Sequence, residues 1–193
     1  MDLNSLPQIA SANEYVLDAE MFRALDLFGT RRPILLASLP PIAPWVPGLS
    51  GCQLVIPFQE PSNVGAAIRS AAAFGVKNIL LLGKSAHPFH PKSIRASSGT
   101  VFSSTFFRVK ELGEFKAPGT AQVYALDTKG LDVNRFKFPK DFILVPGVEG
   151  PGLPPNFRPD ERLTIKMEPG VESLNGATAV SIALFSWYSD VIS

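Results

Sequence analysis

The segment Phe142 to Asn175, FILVPGVEGPGLPPNFRPDERLTIKMEPGVESLN, decides the fold because it places two apolar strands and two glycine-bearing loops within little more than thirty residues. Its first four residues form an apolar run typical of a buried strand, and the PGVEGPG stretch that follows cannot continue a strand. Leu163 to Met167 predicts a second strand. Ser173 is then expected to cap the long apolar helix Leu174 to Tyr188. Two strand-end loops are therefore held close together, where open α/β sheets bind ligands.

The first of these loops carries Glu149 between Gly147 and Gly150. The glycines alone fit tight turns equally well, but a carboxylate between them at the end of a buried strand favours a binding site. The spacing G-x-x-G-x-G is not the dinucleotide-binding fingerprint, and no Gly-Lys-Ser/Thr follows as in a P-loop. The familiar nucleotide-binding motifs are therefore excluded.

The composition is that of a globular protein, with 193 residues, 46% of them hydrophobic, and a formal net charge of +1. No run of 18 apolar residues is present, and the first residues lack a basic-then-apolar signal pattern. We expect a soluble, cytoplasmic protein without a membrane segment. The single cysteine, Cys52, cannot form an internal disulfide, and His87 and His90 lie in a loop without other ligand types, so we expect no metal site.

The N-terminal part is expected to be separate from the rest. Leu17 to Phe28 has helical spacing and Pro33 to Leu39 predicts a strand, but the proline-rich stretch 40–48 suits neither element. Fifty residues are too few for an ordinary core. We therefore predict an appendage with a linker at 1–50 and the main domain at 51–193.

The main domain shows alternating strands and helices. Strands are predicted near residues 52, 78, 122, 142 and 163, and the slim helix Asn63 to Phe74 carries a single charge, Arg69. Strand–helix–strand units of about thirty residues imply parallel pairing. The fold class is therefore α/β, with a mostly parallel sheet and helices on both faces.

Basic residues concentrate in one window of 27 residues, although the net charge argues against binding nucleic acid by bulk charge alone. The window contains Lys84, Lys92, Arg95, Arg108 and Lys110. Either a solvated surface or a local binding patch explains them.

Three motifs in this order resemble those of the SpoU/TrmH group of SPOUT-class RNA methyltransferases. They are Asn63 to Arg69 (NVGAAIR), Gly147 to Leu153 (GVEGPGL), and Ile165 to Met167 with Glu172 to Asn175 (IKM and ESLN). Ser93 to Gly99 (SIRASSG) is similar to a further family element. The resemblance implies a C-terminal deep trefoil knot, S-adenosylmethionine as the methyl donor, an RNA substrate, and a homodimer.

The resemblance also assigns the cofactor site to three loops. The residues expected to bind S-adenosylmethionine are Leu126, Asp127, Thr128, Gly147, Val148, Gly150, Ile165, Met167, Ser173 and Leu174.

For catalysis, the resemblance assigns Arg69 to activation of a ribose 2′-hydroxyl. Arginine is a poor base at neutral pH, so phosphate clamping is the better role. Asn63 and Glu149 are expected to position the nucleotide and the loop, and Ser173 and Asn175 to orient substrate and Arg69. The expected RNA contacts are Arg69, Lys92, Arg95 and Arg108.

Two positions depart from the family pattern, since Val148 stands where Ser or Asn is commoner and Gly176 where Val is usual. The hypothesis is a ribose 2′-O-methyltransferase acting on ribosomal RNA. The alternatives are an enzyme acting on transfer RNA, a catalytically weak RNA-binding or assembly protein, and an enzyme acting on a base nitrogen. Residues 1–50 resemble only the last helix and strand of the RNA-binding domain that many relatives carry.

Overall fold

The computed structural model describes residues 13–116, 121–148 and 152–191. By its contacts the chain divides into two units, Met1–Leu39 and Pro40–Ser193. The described part of the first unit contains helix α1 (Ala19–Leu25). Its N-cap is Asp18, whose carboxylate accepts hydrogen bonds from the next backbone N–H groups. The helix is shorter than the predicted Leu17 to Phe28.

The strand predicted at Pro33 to Leu39 is wrong. These residues have no regular secondary structure, and Leu36 is 95% exposed. Apolar composition alone does not make a strand, because the backbone also needs a neighbouring strand to bond with. No strand of the described residues pairs with this stretch.

Within the described part of the second unit, seven strands form one sheet in the order β1-β4-β3-β2-β6-β5-β7, and every neighbouring pair is parallel. The strands are β1 (Ala43–Pro44), β2 (Cys52–Ile56), β3 (Asn78–Leu82), β4 (Thr105–Val109), β5 (Gln122–Asp132), β6 (Phe142–Val145) and β7 (Glu161–Thr164).

Two of these strands were not predicted from the sequence. Strand β4 follows the 3₁₀ helix Thr100–Ser103 within one apolar and aromatic stretch, and no glycine or proline separates the two elements. Strand β1 lies in the proline-rich connector. It has two residues at the edge of the sheet, where a proline need not donate to a ladder.

Three helices pack on one face of the sheet. They are α2 (Pro61–Ala73), α3 (Pro91–Ala96) and α4 (Gly176–Val191), and they share one apolar core with alternate strand residues such as Leu54 and Ile56. The opposite face is covered by the 3₁₀ helix Leu112–Lys116 and by loop residues including Trp45 and Phe157. The trefoil knot that the resemblance implies stays a prediction.

The direction in which successive strands are added to the sheet reverses at its centre. The chain first builds β2, β3 and β4 toward one edge, then crosses to β5 on the other side, and β6 fills the place between β2 and β5. Such a reversal leaves a crevice at the carboxyl ends of the central strands. In this structure a crevice lies at the carboxyl ends of β6 and β7, beside residues 126–128 of β5.

Strand β5 is longer than predicted and irregular. It continues to Asp132, so the loop expected at residues 127–130 is not where the strand ends. Its pairing with β7 breaks, however, because both Leu126 and Leu131 have Leu163 as their partner. Residues 127–130 therefore leave the ladder as a large bulge at the sheet's carboxyl edge.

Two glycines permit the helices to approach their neighbours. A Cβ added at Gly65 of α2 would lie 2.3 Å from the Ser93 carbonyl oxygen and 2.7 Å from the Ala96 Cβ. At Gly176, the first residue of α4, an added Cβ would lie 2.4 Å from the Phe58 ring. Any side chain at either position would push a helix away from its neighbour.

We predict that Gly65→Ala destabilises the fold although alanine is the better helix former. Overpacking against a backbone carbonyl costs about 1–3 kcal/mol, while the gain in helix propensity is about 1 kcal/mol. The measurement is urea unfolding. Gly113→Ala is the control, because an added Cβ there meets no atom within 4 Å. An equally stable Gly65→Ala variant would contradict the packing argument.

Candidate functional site

A cavity of about 540 Å³ lies at the carboxyl edge of the sheet. Its walls come from β5 where its bulge begins, the loop after β6, the segment after β7 and the start of α4. The lining residues are Leu126, Asp127, Thr128, Pro146, Gly147, Val148, Gly152, Leu153, Leu163, Ile165, Met167, Ser173, Leu174, Asn175, Gly176 and Ala179. The volume is in the range of small-molecule sites.

Nine of the ten residues that the sequence assigned to cofactor binding lie around this cavity. They are Leu126, Asp127, Thr128, Gly147, Val148, Ile165, Met167, Ser173 and Leu174. The tenth, Gly150, lies outside the described residues, as does Glu149. The structure thus brings together residues that are up to 48 positions apart in the chain; whether they bind a cofactor stays a prediction.

The wall at the β5 bulge is held by an ion pair. The Arg162 guanidinium on β7 donates a hydrogen bond to the Asp127 carboxylate. The other Asp127 oxygen accepts from the backbone N–H of Thr128 at 2.6 Å. Both partners are partly exposed, so the pair fixes the carboxylate's position more than it stabilises the fold. The sequence gave no signal for this pairing, because the two residues belong to different predicted strands.

Asn175 is the N-cap of α4, and its side chain links the cavity to α2. Its side-chain oxygen accepts hydrogen bonds from the N–H groups of Ala177 at 2.9 Å and Thr178 at 3.3 Å, as an N-cap does. Its amide nitrogen donates to the Asn63 side-chain oxygen at 3.0 Å. The expected cap, Ser173, is wrong, since an N-cap must directly precede the helix, which begins at Gly176 and not at Leu174.

The structure places Arg69 on α2, exposed and outside the set of cavity residues. It lies six residues beyond Asn63 in the same helix. The adjacent Ser70 hydroxyl is 2.6 Å from that of Ser181 on α4. Asn63 and Ser70 thus tie the two helices together on either side of the turn that carries Arg69.

The remaining basic residues assigned to RNA binding lie away from the cavity. Lys92 and Arg95 are exposed on α3, and Arg108 is exposed on β4. None of the three lines the cavity.

Residues that the sequence analysis did not assign also line the cavity. They include Leu153, Leu163 and Ala179. Leu153 ends the GVEGPGL motif, so the motif could have found it. Leu163 and Ala179 carry no signal beyond apolarity, which is equally typical of a core position.

In the part of the chain that the structure describes, no group of three or more His, Cys, Asp or Glu residues is arranged to hold a metal ion. Over the same residues, no helix has the length and apolarity needed to cross a bilayer. Burial raises the pKa of the Cys52 thiol, which makes this cysteine an unreactive core residue.

Comparison with known proteins identifies the family to which this sequence is similar. Residues 54–185 match the model of the SpoU rRNA methylase family, which is more than half of the chain. The chain belongs to the SpoU rRNA methylase family. The match begins in β2 and ends in α4, so it includes every wall of the cavity.

Individual relatives of this SpoU-family chain include ribosomal RNA methyltransferases. Over 176 residues, 90% of this chain, it is 46% identical to a ribosomal RNA small subunit methyltransferase G 2 of Syntrophobacter fumaroxidans. Over 137 residues, 65% of this chain, it is 35% identical to a 23S rRNA (uridine(2479)-2′-O)-methyltransferase of Streptomyces viridochromogenes. It spans only 35% of the first relative and 48% of the second.

A solved structure shares the fold. It is the SpoU methyltransferase AviRb from Streptomyces viridochromogenes in complex with the cofactor AdoMet, with a TM-score of 0.66 and 33% sequence identity. The similarity covers 74% of this chain and 58% of that one.

We predict that Asn175→Ala lowers the free energy of unfolding by about 1 kcal/mol, the usual effect of removing an N-cap. Ser173→Ala is the matched control and should leave stability unchanged, because Ser173 makes no capping bond in the structure. Urea unfolding measures both. The opposite order of effects would restore Ser173 as the cap.

Proposed function

We propose that this protein transfers a methyl group from S-adenosylmethionine to a ribose 2′-hydroxyl of ribosomal RNA. The observation that carries the proposal is the cavity at the carboxyl edge of the sheet, which gathers nine residues assigned to the cofactor from three separate segments of the chain. The relatives named as ribosomal RNA methyltransferases support the RNA class. The AdoMet complex of AviRb supports the cofactor.

The cavity's chemistry fits a cofactor with an apolar-faced base and a polar sugar and amino acid. Leu126, Leu163 and Ile165 offer apolar surface for a purine ring, and Asp127 and Thr128 offer polar groups at the rim. Packing within the protein does not require a glycine at position 147, because a Cβ added there would have only ordinary contacts, at 3.7 Å and 3.9 Å. A glycine there is explained if a ligand approaches the backbone closely.

The donor supplies an electrophilic methyl group on a sulfonium sulfur. Transfer of that methyl group to a ribose 2′-oxygen would form the O–C bond as the S–C bond breaks, leave S-adenosylhomocysteine, and release the hydroxyl proton to water. The protein's own contribution is alignment of the two reactants and exclusion of water. No metal is needed for this displacement.

Arg69 acts in this proposal as a clamp for the phosphate beside the target ribose. Its guanidinium stays charged at neutral pH and therefore cannot accept the proton, but it binds phosphate oxygens in a fork. The Asn63–Asn175 hydrogen bond at 3.0 Å holds the start of α2 against the cavity mouth. Ser173 and Glu149 complete the set that the resemblance assigns to orienting the nucleotide.

The test is calorimetric titration of the purified protein with S-adenosylmethionine and S-adenosylhomocysteine, followed by methyl transfer to total ribosomal RNA and to transfer RNA. Binding with 2′-O-methylated ribosomal RNA is expected. Product only on transfer RNA would change the substrate class, and a methylated base would overturn the ribose assignment. Binding without product would favour a non-catalytic RNA-binding protein, and no binding would overturn the reading of the cavity.

In the same assay, we predict that Arg69→Ala lowers methyl transfer about a hundredfold or more while cofactor affinity is unchanged. The reason is that Arg69 does not line the cavity, and removal of one preorganised charge from a reacting centre has effects of that size. Arg69→Lys, which keeps the charge but not the fork, should fall in between. A variant that lost cofactor affinity and kept its turnover would contradict this role.

We further propose that the protein acts as a cytoplasmic homodimer. An exposed aromatic cluster supports this on the surface of α2 and α4. Phe185 is 59% exposed and packs edge-on against Phe74 at 6.1 Å, which also contacts Tyr188 at 5.7 Å. Exposed aromatic residues of this kind are enriched in protein interfaces.

We predict that Phe185→Asp yields a monomer, because a charge in an apolar interface must be desolvated. The measurement is light scattering coupled to size exclusion. Val46→Ala, at a residue exposed to a similar degree away from this cluster, should leave the mass unchanged. A wild-type monomer at all concentrations would contradict the proposal.

A further inference from the structure

An exposed aromatic ring stands on a rigid base beside α3. Phe102, in the 3₁₀ helix Thr100–Ser103, is 70% exposed. Its ring packs against Phe89 at 5.8 Å, and Phe89 packs edge-on against the buried Phe106 of β4 at 5.6 Å. The contact with Phe89 therefore fixes one side of the ring, while most of its surface remains exposed to solvent. We call Phe102, Phe89, His87 and Arg108 the Phe102 surface.

The segment of the chain that carries this ring is strongly positive. Residues 61–110 contain seven of the chain's 18 Lys and Arg residues and none of its 17 Asp and Glu residues. The formal net charge of +1 for the whole chain conceals this asymmetry. A local excess of this kind attracts phosphates where the average charge does not.

Arg108 belongs to the same surface as the rings. It is exposed on β4, two residues after Phe106, so the two side chains lie on the same face of the sheet. His87 contacts the Phe89 ring at 5.9 Å. Partial burial, and then the nearby charge of Arg108, lower the pKa of His87, so this imidazole is neutral at pH 7.

The acid directly before this segment, Glu60, is already engaged. The pKa of Glu60 is lowered, first by the hydrogen bond that the Ser62 hydroxyl donates at 2.7 Å and further by the positive charge of Lys92 and His90. Its carboxylate therefore lies at the start of α2 and does not neutralise the positive charge on β4.

The Phe102 surface lies on the same side of the sheet as the proposed catalytic residues. Gly65 of α2 contacts α3 directly, and Arg69 lies one turn later on that side of α2. Helix α2 also packs against the 3₁₀ helix that carries Phe102. A strand of RNA held at Arg69 could therefore continue over these neighbouring elements.

We propose that the Phe102 surface binds single-stranded RNA next to the methylated nucleotide, with an unpaired base stacked on Phe102 and a backbone phosphate bound by Arg108. This proposal rests on the proposed function and names the part of the surface that holds the substrate. Stacking on a fixed aromatic ring beside cations is the common way in which proteins hold single-stranded RNA. An apolar protein partner fits less well, because Arg108 lies on the same surface and the segment that carries the ring is basic.

The experiment measures the affinity of the full chain for fluorescein-labelled single-stranded RNA of mixed sequence by fluorescence anisotropy. Phe102→Ala should weaken binding about tenfold, the effect of losing one stacked base. Phe102→Trp should preserve it, and Phe102→Leu should not, since leucine keeps the apolar character but has no π face. Arg108→Gln should reduce the salt dependence by about 0.7 in the log–log slope, as expected for one phosphate contact.

Matched controls separate these effects from general ones. Leu131→Ala removes exposed apolar surface on β5, and Lys140→Gln removes an exposed cation just before β6; neither strand neighbours β4 in the sheet. Both should bind RNA as the wild type does. All variants should bind S-adenosylmethionine equally, because neither Phe102 nor Arg108 lines the cavity.

The outcomes distinguish this inference from the function on which it rests. Unchanged RNA affinity in Phe102→Ala, with methyl transfer intact in the wild type, would overturn the inference alone. If Phe102→Leu bound RNA with wild-type affinity, base stacking on Phe102 would be contradicted. The contact would then be hydrophobic, of the kind that an apolar protein partner makes. A wild-type protein that neither binds nor methylates RNA would instead overturn the proposed function.

Discussion

Helix α2 approaches its neighbours more closely than side chains allow, and the site depends on that approach. At Gly65 the helix backbone lies against the carbonyl of Ser93, and at Gly176 the first residue of α4 lies on the ring of Phe58. Packed interiors do not deform continuously. Because α2 carries Asn63 and Arg69, a shift of this helix would move both relative to the cavity. The small residues of α2 are thus a requirement of position as much as of stability.

The sheet and the helix starts divide the work of the site. The parallel strands and the segments that follow them at one edge supply the cavity walls, and most of the lining residues are apolar or glycine. The polar groups that would orient a second reactant come from helix starts instead, with Asn175 capping α4 while it bonds Asn63. Helices α2 and α4 pack on the sheet and thereby fix the side chains of Asn63 and Asn175, which are at least partly exposed.

Sequence reasoning succeeded where a pattern reports a local cause. The apolar runs at Asn78–Leu82 and Phe142–Val145 are strands because continuous apolarity is typical of buried parallel strands. It failed where the cause is distant. The apolar stretch after Pro33 lacks a neighbouring strand, the β5 bulge arises from pairing with β7, and Asp127 meets Arg162 only in the folded chain. Nine of the cavity residues were found because the family resemblance assigns them; their meeting at one edge follows from the strand order.

The order of synthesis gives the cavity a further property. Its walls run from Leu126 to Ala179, and the last of them belong to a helix that packs over α2, more than a hundred positions earlier in the chain. No binding site exists on a ribosome-bound chain until residues through Ala179 have emerged and α4 has docked. Any ligand of this cavity can therefore stabilise only the finished fold, by mass action, and cannot guide the earlier steps of folding. Nascent chains must reach that state without its help.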